Sequence, residues 1–281
     1  EPAEVTVVVP ACDEEEGIAP VVASLLAQGP FREVLVVDDG SQDRTAERAA
    51  AAGARVIRHP YNKGNGAAVK TGIREARGEV VLLLDADGQH PPEDARRLLA
   101  RMGEYDMVIG ARAAADQPAL RAAGNLVFEA LASWLTGRRI PDLTSGFRAA
   151  RRDRLLEILH LLPNGFSYPT TSCLAFLKAG FSVAFEPVKV LPRVGRSKIR
   201  PLRDGVRFLL IILKIVTLYS PLKVFFPLAL ASLLLGLGYG AWNVAAFGKI
   251  PMGAALLIQL AVVVFLFGLI SEQIAAAQER K

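Results

Sequence analysis

Two stretches near the end of the chain, Val224–Val244 and Pro251–Ser271, contain no charged residue. Each supplies the roughly 20 apolar residues that an α-helix needs to cross a bilayer. A buried hairpin in a soluble core is the competing reading, but core helices rarely stay uncharged on every side for so long. The connection Ala245 to Ile250 is short, so the pair predicts an antiparallel transmembrane hairpin within residues 222–281. Pro227 is compatible with this, because membrane helices accept proline more readily than soluble ones.

The basic residues Arg193, Arg196, Lys198, Arg200, Arg203, Arg207, Lys214 and Lys223 precede the first span, and Arg280 and Lys281 follow the second. Lys249 alone lies in the turn. The positive-inside rule then places both termini, and the domain before the hairpin, in the cytoplasm. The expectation is a multi-pass protein of a prokaryotic cytoplasmic membrane. Glu1 to Glu16 has neither a basic start nor a long apolar run, which predicts no cleavable signal. Val206–Tyr219 is apolar but interrupted by Arg207 and Lys214, so residues 201–221 predict an amphipathic helix in the interface. The net charge of +5 needs no nucleic acid as partner. Juxtamembrane Lys and Arg bind anionic head groups, and no helix-turn-helix or zinc-finger pattern is present. Cys12 and Cys173 have no metal-ligand spacing and fit a reduced compartment.

Residues 1–200 alternate strand-like and helix-like segments, which predicts an α/β domain with a Rossmann-like, mostly parallel sheet. Strands are expected at Val5–Val9, Val34–Val37, Arg55–Arg58, Val80–Leu84, Met107–Ile109 and Ser182–Val190. Helices are expected at Gly17–Ala27, Thr45–Ala52, Gly66–Arg77, Pro92–Met102, Leu120–Leu135 and Arg152–Leu162. In such sheets ligands bind beyond the carboxyl ends of the strands. Polar residues gather there, at Pro10 to Glu14, at Asp38 and Asp39, and at Asp85 to Gln89. The first turn lacks Gly-x-Gly-x-x-Gly and is acidic, so it cannot cradle a pyrophosphate by itself.

Asp85-Ala86-Asp87 follows the apolar run Val80–Leu84. Two carboxylates one residue apart on an extended turn can face one ion, and such oxygen ligands suit Mg²⁺ or Mn²⁺. Gln89 can add a carbonyl oxygen. A metal there would bridge diphosphate oxygens and stabilise a leaving nucleotide. On a solvated loop the same pattern would mean nothing; its position after a buried strand favours the site. Asp38-Asp39-Gly40-Ser41 reads either as a turn that caps the next helix or as a carboxylate that accepts hydrogen bonds from a nucleobase or ribose.

Val8-Val9-Pro10-Ala11-Cys12-Asp13-Glu14-Glu15, Val36-Val37-Asp38-Asp39-Gly40-Ser41-Gln42-Asp43-Arg44-Thr45, Asn62-Lys63-Gly64-x-Gly66-x-Ala68, Asp85 to Glu93 and Asp142-Leu143-Thr144-Ser145-Gly146-Phe147-Arg148 occur in that order. Together they resemble glycosyltransferase family 2. Within it the chain is most similar to the polyprenyl-phosphate branch of dolichol-phosphate mannose synthases and bacterial polyprenyl-phosphate glucosyltransferases. The resemblance covers roughly residues 5–277. It implies a GT-A-type fold and transfer of a hexose from a nucleotide-diphosphate sugar to a polyprenyl phosphate.

By that resemblance Pro10, Cys12, Glu14, Asp38, Asp39 and Lys63 hold the nucleoside, and Asp85, Ala86, Asp87 and Gln89 the diphosphate. Asp85, Asp87 and Gln89 are also the implied ligands of Mg²⁺ or Mn²⁺. Arg112, Arg121 and Asn125 match positions near the donor or acceptor phosphate, and Arg193, Ser197 and Lys198 a loop that closes over both. Arginine and lysine at these positions would offset repulsion between two phosphorylated partners. Cys12 and Asp13 stand where Tyr and Asn are common, which leaves a UDP or a GDP donor open, and Gly88 and Asn125 depart from a frequent Leu and Ser.

A lipid phosphate is ionised near neutral pH, its second pKa being about 6. The expected reaction is then in-line attack on the anomeric carbon with inversion, carried by Asp85, Asp87, Arg112 and Arg121 without a strong base. Asp142 reads either as an orienter of sugar hydroxyls or as a turn residue. His59, His90 and His160 read as structural. A hydroxyl acceptor, as in polysaccharide synthases, would need a general base. The Gln-x-x-Arg-Trp pattern of processive synthases is absent around Trp134 and Trp242. A non-enzymatic nucleotide-binding scaffold is the alternative of another class. Self-association and a separate flippase for the product stay open.

Overall fold

Strand β1, Val5–Ala11, is buried at every position, so both of its faces are covered. In the computed structural model, the described residues are 4–29, 31–86, 88, 91–112, 128–134, 136–165, 167–189, 210, 213, 217 and 220–278. The chain divides into two compact units, Glu1–Phe208 and Leu209–Lys281.

The first unit runs β1, α1 (Ile18–Gln28), β2 (Glu33–Asp38), α2 (Thr45–Ala51), β3 (Arg55–Arg58), α3 (Asn65–Glu75), β4 (Val80–Leu83), α4 (Pro92–Ala100) and β5 (Met107–Arg112). Then follow β6 (Arg148–Arg151), α5 (Arg152–Glu157), a 3₁₀ turn at Leu159–Leu161, α6 (Tyr168–Lys178) and β7 (Val183–Val188). The sheet order is β3-β2-β1-β4-β6-β5-β7. β1 pairs in parallel with β2 and β4, as do β2 with β3 and β5 with β7. Among the described strands only β6 is antiparallel to its neighbours, β4 and β5.

Alternating residues of the central strands face two different helix layers. Val5, Val7 and Val9 pack into one core with Ile18, Val22 and Leu25 of α1 and Ala95 and Leu98 of α4. Val8 points the other way, and a Cβ added to Gly72 of α3 would lie 2.2 Å from its Cγ1. Apolar residues at both parities are what a parallel sheet buried on two faces requires.

The expected strands and helices up to β5 are all present, within one to three residues at their ends. Arg152–Leu162 resolves into α5 and the 3₁₀ turn, and Ser182–Val190 into β7. Of Leu120–Leu135, residues 128–134 are helical and the rest lies outside the described residues, as does most of 201–221. Two elements were not anticipated. β6 reads Arg-Ala-Ala-Arg, with no β-branched or aromatic residue to announce a strand. α6 opens Tyr-Pro-Thr-Thr and is buried over most of its first turns, so it shows no amphipathic period. Its proline sits in the first turn, where the missing N–H has no helical partner to lose.

In the second unit α7 (Leu222–Phe247) and α8 (Met252–Gln278) form the expected antiparallel hairpin, and both are long and apolar enough to cross a membrane. Gly248 ends α7 at φ +67°, donating its N–H to Val244 O at 2.9 Å. Small residues line the contact: a Cβ on Gly268 would lie 2.8 Å from Phe225, and one on Gly236 3.0 Å from Leu257 and Ile258. Leu235, Trp242 and Phe267 are exposed on the outside.

The glycines of the Asn62–Ala68 motif have a packing role. A Cβ on Gly66 would stand 2.0 Å from the carbonyl oxygen of Pro163. Gly66→Ala should therefore force a backbone shift and cost about 1–3 kcal/mol. Gly103→Ala, where nothing lies within 4 Å, should stay within about 0.5 kcal/mol of wild type. Denaturant midpoints of the two variants check this.

Candidate active site

The carboxyl ends of β1, β2, β4 and β5 carry the polar residues singled out from the sequence. After β1, the chain at Asp13 takes a left-handed turn, φ +54°. The loop is stitched to the one after β2: Asp13 N donates to Ser41 Oγ at 3.0 Å, Glu14 N to Thr45 Oγ1 at 2.9 Å, and Gln42 N to Asp13 Oδ1 at 2.9 Å. Pro10 lies in the β1 ladder opposite Val37. Cys12 Sγ accepts from Asn62 Nδ2 at 3.2 Å.

Asp38 and Asp39 are both buried and do different work. Asp39 accepts from the backbone N–H groups of Lys63 at 2.9 Å and Gly64 at 2.8 Å. Its Oδ1 also lies 2.7 Å from His59 Nδ1, whose Nε2 reaches Thr71 Oγ1 at 2.9 Å. Asp39 is thus committed to holding the 63–64 turn, and His59 is the buried structural histidine expected. Asp38 Oδ1 accepts from Ser41 N at 3.0 Å and from the Ser41 hydroxyl. Its Oδ2 sits 3.1 Å from Arg58 Nε but has no aligned hydrogen-bond donor. Lys63 contributes its backbone, and its Nζ lies over the ring of exposed Tyr61.

At the end of β5, Arg112 forms a forked pair with Asp142, Nε to Oδ2 at 2.7 Å and Nη2 to Oδ1 at 3.0 Å. Asp142 is fully buried and also accepts from the N–H groups of Arg112, Thr144 and Ser145. Burial pushes its carboxyl up, but the Arg112 hydrogen bonds and charge outweigh this and hold it below the usual carboxylate range. With its oxygens so engaged, Asp142 acts on the loop and on Arg112. Arg112 keeps a quarter of its side chain exposed and also donates to Thr144 Oγ1.

Thr144 and Asp85 line the same small cavity. Asp85 follows β4, and a Cβ on Gly146 would lie 2.6 Å from its Oδ2, so only glycine lets the loop pass this close. Behind them Arg148 is wholly buried, donating to Pro169 O at 2.8 Å, to Ser172 Oγ at 2.7 Å and to Ser145 O. The sequence quoted Arg148 only as a motif member; it ties the 142–146 loop to the start of α6.

The structure therefore brings Asp85, Arg112 and Asp142 together, and joins the β1 and β2 loops that carry Cys12, Glu14, Asp38 and Asp39. Asp87, Gln89, Arg121, Asn125, Arg193, Ser197 and Lys198 lie outside the described residues. Among the described residues no group of three or more His, Cys, Asp or Glu is placed to hold a metal.

Glu129 had no signal in the sequence. Its carboxyl is pushed up to about 7, first by burial and then by the charge of Asp142, with Arg112 opposing. A carboxyl whose folded pKa lies above its unfolded value of 4.5 binds its proton more tightly when folded. It therefore weakens the fold progressively as pH rises from about 4.5 to about 7, and by a constant amount above. Glu129→Gln should melt above wild type at pH 8, with the difference vanishing towards pH 4. Thermal melts across that range check it; a constant difference would show that Glu129 does not titrate there.

The pattern of glycosyl transferase family 2 matches residues 6–159, and that of the GtrB C-terminal hairpin residues 220–277. Glycosyltransferase AglJ of Haloferax volcanii is 33% identical over 245 residues, covering 84% of this chain and 80% of the relative. A dolichyl-phosphate hexose transferase of the same organism is 34% identical over 206 residues, 72% of this chain and 89% of the relative. Among solved structures, glucosyl-3-phosphoglycerate synthase from Mycobacterium tuberculosis in complex with Mn²⁺, UDP-glucose and phosphoglyceric acid superposes with a TM-score of 0.61. It is 25% identical and covers 75% of this chain and 79% of that one. The chain is a glycosyltransferase of family 2, of its polyprenyl-phosphate branch, and it ends in the GtrB hairpin.

Proposed function

We propose that this enzyme transfers a hexose from a nucleotide-diphosphate sugar to a polyprenyl phosphate at the cytoplasmic face of a membrane, inverting the anomeric centre. The observation that carries this reading is the union in one chain of a family 2 sheet with a hairpin long and apolar enough to cross a membrane. A lipid phosphate is an acceptor that such a chain meets at its own anchor. The dolichyl-phosphate hexose transferase among its relatives supports the same acceptor class.

In this reading the buried, undonated Oδ2 of Asp38 accepts from the nucleoside, with Cys12 and Glu14 on the stitched loops as further contacts. Arg112, held rigid by Asp142, presents its guanidinium to a phosphate, with Arg121, Asn125, Arg193, Ser197 and Lys198 as further phosphate contacts. Asp85, Asp87 and Gln89 are the oxygen donors for Mg²⁺ or Mn²⁺. Two carboxylates and an amide suit either ion, and the solved neighbour was crystallised with Mn²⁺ and UDP-glucose. Bound there, the ion would stabilise the charge on the departing nucleoside diphosphate. An oxygen of the ionised lipid phosphate forms the new bond to the anomeric carbon as the bond to the diphosphate breaks, and no proton need be removed. Asp142 serves as a positioning residue for Arg112.

A hydroxyl acceptor would instead need a general base, and Glu129, whose carboxyl is pushed up to about 7 by burial and the charge of Asp142, is the group to test for that role. The two acceptors separate cleanly in detergent solution, where UDP- and GDP-sugars are offered with polyprenyl phosphate and Mg²⁺ or Mn²⁺ while sugar in the lipid phase is followed. Transfer should be lost with chelator and in Asp87→Ala, and persist within about threefold in Glu129→Gln. Sugar found only on hydroxyl acceptors, with that transfer lost in Glu129→Gln, would establish the general-base reaction. Arg112→Lys should lower kcat/KM by about 10- to 100-fold, because a point charge cannot replace the forked geometry.

A further inference from the structure

Beside Asp85 lies a cavity of about 70 Å³, lined by Asn65, Asp85, Thr144, Gly146, Ser167, Tyr168, Pro169 and Thr170. Most of its hydroxyls are already engaged. Tyr168 OH donates to Gly146 O at 3.3 Å, Thr170 Oγ1 to Leu143 O at 3.4 Å, and Thr144 Oγ1 accepts from Arg112. Ser167 differs in two respects. Its side-chain oxygen is buried with no hydrogen-bond partner, and its backbone is left-handed, at φ +83° and ψ +19°. A serine is strained in that conformation, and a buried hydroxyl without a partner is costly. Both features persist at one residue, at the N-terminus of α6, on the wall of a cavity beside the proposed diphosphate site.

Among the described residues no Lys or Arg lines the cavity, so a phosphate would find no countercharge from them in it. Its polar lining of hydroxyls, one amide and one carboxylate suits a hydroxyl-bearing arm. We propose that this cavity receives one hydroxyl or hydroxymethyl group of the donor sugar, and that Ser167 Oγ is its hydrogen-bond partner and a determinant of sugar specificity. This rests on the proposed function, since it presumes a nucleotide-sugar donor. A relaxed serine at a helix start would cap its own helix; the left-handed turn leaves the Ser167 hydroxyl uncapped and unbonded in a residue of the cavity wall.

The test uses the full chain in detergent. Ser167→Gly removes the hydroxyl and relieves the backbone, because glycine adopts positive φ freely. It should melt no lower than wild type and bind UDP or GDP unchanged. Its kcat/KM for the preferred donor among UDP-glucose, UDP-galactose, UDP-N-acetylglucosamine and GDP-mannose should fall about 10- to 100-fold, flattening the preference between donors. One deoxy analogue of the preferred donor should show the same loss on wild type and no further loss on Ser167→Gly, which names the hydroxyl concerned. Ser167→Asn, which tolerates the left-handed turn but fills the cavity, should keep nucleotide binding and lose transfer. Wild-type donor preference in Ser167→Gly, or deoxy losses that simply add to that of the variant, would overturn the assignment and leave the cavity to ordered water. If no nucleotide sugar binds the wild-type protein, the proposed function falls, and this assignment with it.

Discussion

The geometry of the site depends on one buried ion pair, Arg112 with Asp142. A carboxylate with no exposed surface is costly in a folded protein unless hydrogen bonds replace its water, and removing one partner of such a pair is strongly destabilising. Here the forked guanidinium and three backbone N–H groups replace that water. The result is mechanical as well as electrostatic. The end of β5 is locked to the 142–146 loop, that loop brings Gly146 against Asp85, and Ser145 passes its carbonyl to Arg148. Three chain segments far apart in sequence acquire fixed relative positions from one pair of charges. Arg112 is thereby oriented before any ligand arrives, which is how a cation acts on developing charge without reorganising.

A second group of contacts places α3. Glycine motifs next to a helix start invite the reading of a phosphate cradle, but the first N–H groups of α3 are already used. Gly66 N donates to Gly165 O at 3.1 Å and Ala67 N to Asn164 O at 2.8 Å, while Lys70 reaches Leu162 O and Asn164. Gly64 and Gly66 exist so that the 163–165 segment can lie against the backbone of the helix. Asp39 fixes the preceding turn from the other side. The motif thus sets where Ser167 and Tyr168 fall, and its contribution to the site is made through a neighbour.

This division explains what was legible beforehand. β1, β2 and β4 announce themselves as valine- and leucine-rich runs because burial on both faces demands it, and the polar residues at their ends mark the candidate site. β6 and α6 have no such signature: the first is two alanines between arginines, and the second is buried too completely to alternate. Asp38 and Asp39 look equivalent in sequence, yet one is spent on a turn and the other keeps an undonated oxygen, a difference set by His59, Lys63 and Gly64 arriving from elsewhere. Arg148, Ser167 and Glu129 were silent for the same reason. Their roles come from neighbours more than ten residues away or from backbone conformation, and neither is written in local pattern.

The second unit follows a different physics. Lipid tails offer no hydrophobic gain for packing two apolar helices, so close backbone approach and internal hydrogen bonds must hold them. Gly236 and Gly268 provide the approach. Ser232 Oγ donates to Leu257 O at 2.9 Å, and Asn243 Nδ2 to Tyr239 O at 3.0 Å. Glu272, an acid at the edge of an apolar helix, accepts from Leu222 N at 3.1 Å, where the partial positive charge of the α7 N-terminus favours a carboxylate. These polar groups find their partners within the hairpin itself. A hairpin whose polar atoms serve its own fold is built to hold position among lipids, while the candidate site lies at the carboxyl edge of the sheet, where Asp85 lines a cavity with Thr144, the hydroxyl that Arg112 holds.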